Sequence, residues 1–287
     1  MKHKDSQIND FYQSGLYQEK NPTLHEEDSP WKSTLILPLI EKVIAERPRK
    51  KNLTLLDVGG GAGLILSSLT RSIAEKLGIT VKKIALDLSP GMLEVQRKNN
   101  PDMVQCLHQD IKKTSLADRS VDITLMIDVI EHIPNPEKAI REISRISEYC
   151  IFKVPLEDNF NFNLINIFDG GALRKILEED FGHINNFDKQ SITALIETSG
   201  MEIIMFRYSG VFRYLLSSEH YRNKTGGWEN FTNYVGALLH PLSPKLAAFL
   251  LPDYAIILAR SLGYPTRPDN TKNSREKTPE QKDQPQT

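Results

Sequence analysis

The stretch Leu55–Leu64, LLDVGGGAGL, ends an apolar run on an acid, Asp57. Four glycines follow it: Gly59, Gly60, Gly61 and Gly63. A glycine-rich turn after a strand lets backbone N–H groups approach a ligand closely, and that ligand is usually a phosphate. A carboxylate at the mouth of the turn argues against one. The same arrangement recurs along the chain. Asp87 closes the apolar run in IALDLSPGML, Asp110 closes LHQD, and Asp128 closes VDITLMID, with Glu131 one turn later. His132 follows Glu131, and His183 stands in GHINNF. A histidine titrates near neutrality and suits a general base, so both are candidates to take a proton from an acceptor hydroxyl. Each has a plainer reading as a hydrogen-bonding residue across a turn.

Two phosphate-binding patterns fail here. A dinucleotide fingerprint wants G-x-G-x-x-G, and its third glycine falls on Leu64. A P-loop ends in Gly-Lys-Ser/Thr, and Gly63 is followed by Leu64-Ile65. Acids at several strand ends would repel a pyrophosphate, the more so where water is excluded. They would welcome a cation. S-adenosylmethionine carries an ammonium, a sulfonium and a carboxylate, with a ribose diol and an adenine but no phosphate.

The elements that must position these residues alternate. Strand LTLLDV (53–58) leads through the glycine turn to a helix that Gly78 should stop. Strand 81–88 precedes a helix opened by Ser89 as N-cap and Pro90 at the first helical position. Strands are expected at 103–110, 121–128 and 149–155, with a helix over 136–146 between the last two. KQSITALIETSG, MEIIMFRYSG and YAIILAR add a helix and two strands. Such alternation implies an α/β chain with a mostly parallel sheet covered on both faces, whose ligands bind at the carboxyl ends of the strands. Ahead of the first strand, WKSTLILPLIEKVIAE has helical spacing, and Pro38 is expected to kink it or mark its start. Residues 1–30 read as a partly ordered arm, 31–262 as the main domain with an insertion over 211–252, and 263–287 as a disordered tail.

In this order and at these intervals, the motifs resemble the class I S-adenosylmethionine-dependent methyltransferases. They look much like the small-molecule subgroup, which includes quinone-biosynthesis methyltransferases. Asp57, Gly59, Gly61 and Gly63 match the family's first motif, Asp87 its second-strand acid and Asp110 its adenine-side acid. VDITLMIDVIEHIPNPEKAIREISRI is similar to the fourth strand and following helix of the subgroup. The resemblance implies a Rossmann-like three-layer sandwich with a seven-stranded sheet whose last strand is antiparallel. It implies S-adenosylmethionine as cofactor. Asp57 would hold the methionine ammonium, and the three glycines would admit the methionine and nucleoside. Asp87 would accept both ribose hydroxyls, and Asp110 the adenine amino group. Leu88 and Ile111 would sandwich the adenine, and Asp128 would meet cofactor and acceptor.

Composition narrows the partners. The 287 residues carry a formal net charge of −1, so no global positive field draws nucleic acid. The Asn/Asp-Pro-Pro-aromatic motif of DNA amino-methylation is replaced by Asp128-Val129-Ile130-Glu131, and neither Cys106 nor Cys150 follows a proline. No metal is expected: His108, Asp110, Asp128 and Glu131 offer ligand atoms, but there is no His pair at i, i+4 and no catechol-type triad. Two cysteines, no signal-like N-terminus and no long apolar run point to a cytoplasmic protein. The insertion contains YLLSSEHYRN and GGWENFTNYVGALLHPLSPKLAAFLL, which suits a lid over a small apolar or lipid-like acceptor. Ordinary core packing is the plainer reading. Shallow membrane contact is disfavoured by Pro241 and Pro244. Phe11, Tyr12, Tyr17 and Trp31 are expected to cover the cofactor from the other side. The competing functions are a non-catalytic S-adenosylmethionine-binding protein and a nicotinamide-dependent oxidoreductase.

Overall fold

The computed structural model describes residue 14 and residues 26–47, 50–222 and 225–263. The aromatic residues Phe11, Tyr12 and Tyr17 of the expected arm, and the tail from residue 264 on, lie outside the described residues. Within them, helix α1 (Ser29–Ala45) leads to β1 (Asn52–Val58). Then follow α2 (Leu64–Leu77), β2 (Thr80–Asp87), α3 (Pro90–Asn99), β3 (Gln105–His108) and β4 (Val121–Ile127). A single turn of 3₁₀ helix (Ile130–His132) joins β4 to α4 (Pro136–Ile146), which runs directly into β5 (Ser147–Leu156). The seven strands stand in the order β3-β2-β1-β4-β5-β7-β6, with β6 (Met201–Tyr208) and β7 (Asp253–Ser261) closing the sheet. Strands β1 to β5 pair in parallel, and β7 lies antiparallel between β5 and β6. The expected architecture, with its antiparallel last strand, is the observed one.

Burial explains why the strands lie where the pattern predicts. All seven residues of β4 are buried, as a central parallel strand covered on both faces requires. One face packs Leu56, Met126, Ile140, Ile143 and Phe152 into one core cluster. The other face packs Leu55, Leu69, Ile73, Ile123 and Ile151 against Ile36, Leu39 and Ile40 of α1. Helix α4 begins at Pro136 and ends at Ile146, the bounds read from sequence, because its apolar residues fall on one stripe. Ser89 caps α3 by accepting from the Met92 N–H at 3.3 Å. Gly78 ends α2 in the left-handed region, φ 61°, with its N–H on the Ala74 carbonyl.

Two expectations need correction. Pro38 does not mark the start of α1, which runs as one helix from Ser29 to Ala45. The proline removes one intrahelical donor, but Ile36, Leu39, Ile40 and Val43 are fully buried on either side and hold the turn. Strand β3 covers only Gln105–His108, so Asp110 belongs to the loop beyond it. There it makes a local turn, its Oδ1 accepting from the Lys112 N–H at 2.9 Å.

The stretch 156–190, read as mixed, holds helices α5 (Phe160–Phe168) and α6 (Ala172–Ile176) and a wider π turn (Leu177–Phe181) ahead of α7 (Lys189–Thr198). The insertion between β6 and β7 is helical: α8 (Val211–Ser217), α9 (Glu219–Arg222), α10 (Gly227–Leu239) and α11 (Pro244–Leu250). It has its own small core around Val211, Phe212, Ala247 and Leu251. Its outer face leaves Trp228, Phe231, Tyr234 and Leu238 exposed. Among the described residues no helix is long and apolar enough to cross a membrane.

Candidate active site

A cleft at the carboxyl ends of β1, β2 and β4 encloses about 810 Å³, its open mouth included. Gly59, Gly61, Asp87, Leu88, Asp110, Ile111 and Asp128 all line it, together with Met92, Val129 and His132. Seven of the nine residues assigned to a cofactor therefore meet in one place. The other two, Asp57 and Gly63, lie behind the wall.

Asp57 is not at the rim. It is 2% exposed and lies beneath the glycine turn, against Gly60: a Cβ on Gly60 would come within 2.1 Å of Asp57 Oδ2. Gly60 is thus required for space, a role the sequence pattern did not assign. Asp57 Oδ2 is buried without a hydrogen-bond partner in the described structure. Burial, aided by the nearby Asp87 charge, pushes the Asp57 carboxyl up to about 7. Gly63 turns away from the cleft toward α3, where its carbonyl accepts from Asn100 Nδ2 at 3.0 Å and a Cβ would meet that same nitrogen at 2.8 Å. It seats α2 against α3.

Asp87 ends β2 and faces the cleft, 8% exposed. Burial raises its carboxyl to about 6, while the N–H groups of Ser89 and Leu88 and the nearby His108 work in the opposite direction. The Ser89 N–H donates to Asp87 Oδ1 at 2.8 Å, which fixes the carboxylate. Leu88 is held in turn, its carbonyl 3.0 Å from His108 Nε2.

Asp128 differs from the other acids. Its backbone is left-handed, φ 55°, and its carboxylate is shared by two lysines. Lys32 Nζ lies 3.0 Å from Oδ2, and Lys153 Nζ donates to Oδ1. Burial would raise this carboxyl, but the two ammonium groups outweigh it and hold it well below the usual range. The expected row of four bare acids is therefore two cleft-facing acids, Asp87 and Asp110, one buried acid and one neutralised acid. Lys153, in the middle of β5, is 1% exposed, and burial lowers its ammonium to about 8.

His132 and His183, proposed separately, are neighbours, with ring centroids 4.8 Å apart. His132 Nδ1 lies 3.1 Å from the Gly182 carbonyl, and His183 Nδ1 2.7 Å from Glu157 Oε1. Both contacts make Nδ1 the donor in a neutral ring and Nε2 the basic nitrogen. Glu131 joins them, 1% exposed, with neither carboxylate oxygen hydrogen-bonded. Burial, with the Asp128 charge adding to it, raises its carboxyl far above the ordinary value. Glu131, His132 and His183 each bring one ligand-capable atom within 4.8 Å of the others. This is not the set weighed from sequence: Asp110 pairs with Lys112 and Asp128 with its two lysines. His183 enters it because the Ile184 and Asn185 N–H groups bond the Glu131 carbonyl, a long-range pairing that no local pattern announces.

Residues 56–148, from the start of the glycine motif to the start of β5, match the family model "Methyltransferase domain". The chain is similar to the class I S-adenosylmethionine-dependent methyltransferases. Among curated proteins the similarity is to quinone-biosynthesis methyltransferases. A ubiquinone biosynthesis O-methyltransferase of Coxiella burnetii (strain RSA 331 / Henzerling II) is 25% identical over 173 residues, 59% of this chain and 72% of that protein. A demethylmenaquinone methyltransferase of Staphylococcus saprophyticus is 26% identical over 150 residues, 50% of this chain and 59% of its own length. The solved structure of a geranyl diphosphate methyltransferase in complex with GPP and sinefungin superposes with a TM-score of 0.55 at 12% identity. It covers 80% of this chain and 78% of that one, and bears on the fold alone.

Proposed function

We propose that the protein is an S-adenosylmethionine-dependent methyltransferase that acts on a small, apolar acceptor, its hydroxyl or a carbon. The observation that carries this reading is Asp57 Oδ2: a buried carboxylate oxygen without a partner, beneath a glycine turn. Such an orphan calls for an explanation, and an ammonium supplies one. The residues present fit the cofactor. Asp57 would hold the methionine ammonium, Asp87 the ribose diol and Asp110 the adenine amino group. Leu88 and Ile111 flank the cleft where an aromatic ring would lie. A nicotinamide dinucleotide fits worse, because its pyrophosphate would meet Asp87 in the cleft.

When bound, S-adenosylmethionine supplies a methyl group on a sulfonium, an activated carbon. The protein's own part is alignment and dryness: orientation alone can lower a barrier by roughly 7–11 kcal/mol. For a hydroxyl acceptor, His132 Nε2 or His183 Nε2 would take the proton, each ring held through its Nδ1. The buried Glu131 lies beside them, its Oε1 4.0 Å from His132 Nε2. The quinone-biosynthesis relatives support a small-molecule acceptor, and the aromatic helices α8 to α11 support an apolar one. Incubating the protein with methyl-labelled S-adenosylmethionine and a panel of hydrophobic phenols tests the reading. Labelled product together with S-adenosylhomocysteine is expected. Tight cofactor binding without any turnover across the panel and a cell extract would favour the non-catalytic alternative.

A further inference from the structure

Asp128 sits at the cofactor cleft, yet half of its ion pairing comes from outside the sheet. Lys153, on the adjacent strand, would suffice to neutralise it. Lys32 arrives from α1 and is itself largely buried, its side chain 10% exposed. The residues just ahead of Lys32 are tied to the inserted helices. Asp28 accepts from Tyr214 Oη at 2.7 Å and from Tyr221 Oη at 2.8 Å. Glu27 pairs with His220 at 3.2 Å, and the Trp31 ring stacks on Tyr214 at 4.5 Å between centroids, 7° from parallel. Asp28 and Lys32 are one helical turn apart, with Lys32 Nζ 4.0 Å from Asp28 Oδ2. A continuous chain of polar and stacking contacts therefore runs from α8 and α9, through the first turn of α1, to the carboxylate that ends β4. It is built from residues that no cofactor motif contains.

We propose that Lys32 is a positioning residue through which the inserted helices set Asp128 at the cofactor cleft. The consequence is that lid and cofactor report on each other. This inference rests on the cofactor reading above, and goes beyond it by assigning a role to α1 and to the insertion. Three features make the connection directional. Asp128 occupies a left-handed backbone state that a non-glycine residue adopts at a cost, so its carboxylate is held rather than free to search. Val129, next in sequence, presses on Gly59: a Cβ there would meet Val129 Cγ2 at 2.9 Å, so a shift at Asp128 reaches the glycine turn. Trp31 and Tyr254 enclose the Lys153 ammonium, Nζ lying 5.8 and 3.4 Å from their ring centroids, so the same aromatic group that anchors α8 seats the second lysine. Where two sites are coupled, the effect of each on the other is equal in free energy.

The test pairs two variants with two readouts. Lys32→Met cuts the chain at the cleft end, and Tyr221→Phe loosens it at the lid end without touching the cleft. Lys32→Arg, which keeps the charge, is the rescue. S-adenosylhomocysteine is titrated calorimetrically, and amide exchange is followed over residues 211–222 with and without it. Coupling predicts that both Lys32→Met and Tyr221→Phe weaken S-adenosylhomocysteine by at least about fivefold, the low end of usual coupling between sites. It predicts that Lys32→Arg restores most of that loss. In the wild type the ligand should slow exchange over 211–222, and in Lys32→Met it should not. Wild-type affinity in Tyr221→Phe, with ligand protection of the lid unchanged in Lys32→Met, would overturn the inference. A wild type that takes up no S-adenosylhomocysteine would sink the cofactor reading instead. The link would then be judged on the ligand-free protein, where faster exchange over 211–222 in Lys32→Met supports it and unchanged exchange refutes it.

Discussion

At the scale of single residues, three carboxyl groups carry the account, and each titrates differently. Burial raises Asp57 from the ordinary carboxylate value of 3.8 to about 7 in the fold. The native state therefore binds a proton that the unfolded state lacks between about pH 4 and 7. Its stability contribution is fully present below pH 4 and is lost as the pH rises through 7. Ligand-free protein should become less stable over that interval by a few kcal/mol at most, taking about 1.36 kcal/mol per pKa unit. Asp57→Asn should flatten the slope, which urea denaturation at several pH values would read. Cofactor binding runs the other way, because an ammonium needs the ionised form. Affinity for S-adenosylhomocysteine should rise from pH 5 to pH 8, and a pH-independent affinity would remove Asp57 and Asp87 from the site. The trio Glu131, His132 and His183 makes a separate prediction. If it handles a proton, His132→Ala and His183→Ala should lower kcat for a hydroxyl acceptor by about 10²–10⁴-fold, the usual worth of a general base. Methyl transfer should persist in a chelator. Loss of activity in EDTA, restored by a divalent cation, would mean that the three hold a metal ion instead.

At the scale of elements, the β1–α2 turn decides whether the cleft exists. Gly60 packs so closely on Asp57 that one methyl group cannot be added without moving the backbone or the carboxylate. Gly60→Ala should abolish measurable S-adenosylhomocysteine binding while leaving the far-UV circular dichroism unchanged. Retained binding would mean that the turn is not the methionine seat. A core substitution far from the cleft should behave oppositely. Ile143 is fully buried on the inner face of α4, and Ile143→Ala should lower unfolding stability by about 2–5 kcal/mol with little change in affinity. Chemical denaturation and calorimetry on the same variant separate the two effects.

At the scale of the molecule, what was legible in the sequence followed from local periodicity. The alternation of apolar strands with one-sided helices announced the sheet, and acids at strand ends announced a cleft at its carboxyl edge. Asp87, Leu88, Asp110 and Ile111 meet there because each is fixed by its own strand–loop junction. Long-range placement was not legible. Nothing in the local pattern singles out Lys153 or Lys32. Only the fold brings both to Asp128, and thereby withdraws Asp128 from the acids available to a cation. His132 and His183 were picked for their chemistry, but their contact depends on the loop around Asn185, whose side chain bonds the Ile133 carbonyl at 2.9 Å. Trp31, expected to cover the cofactor, stacks on Tyr214 of the insertion.

The central claim is that this cleft binds the sulfonium nucleoside through Asp87. The most direct measurement is calorimetric titration of S-adenosylhomocysteine into the wild type and Asp87→Ala. Hydrogen bonds to a charged group contribute about 1.5–3 kcal/mol each, so losing two should weaken binding by about 100-fold or more. Equal affinities in the two proteins, or heat evolved only with a phosphorylated dinucleotide, would contradict the account.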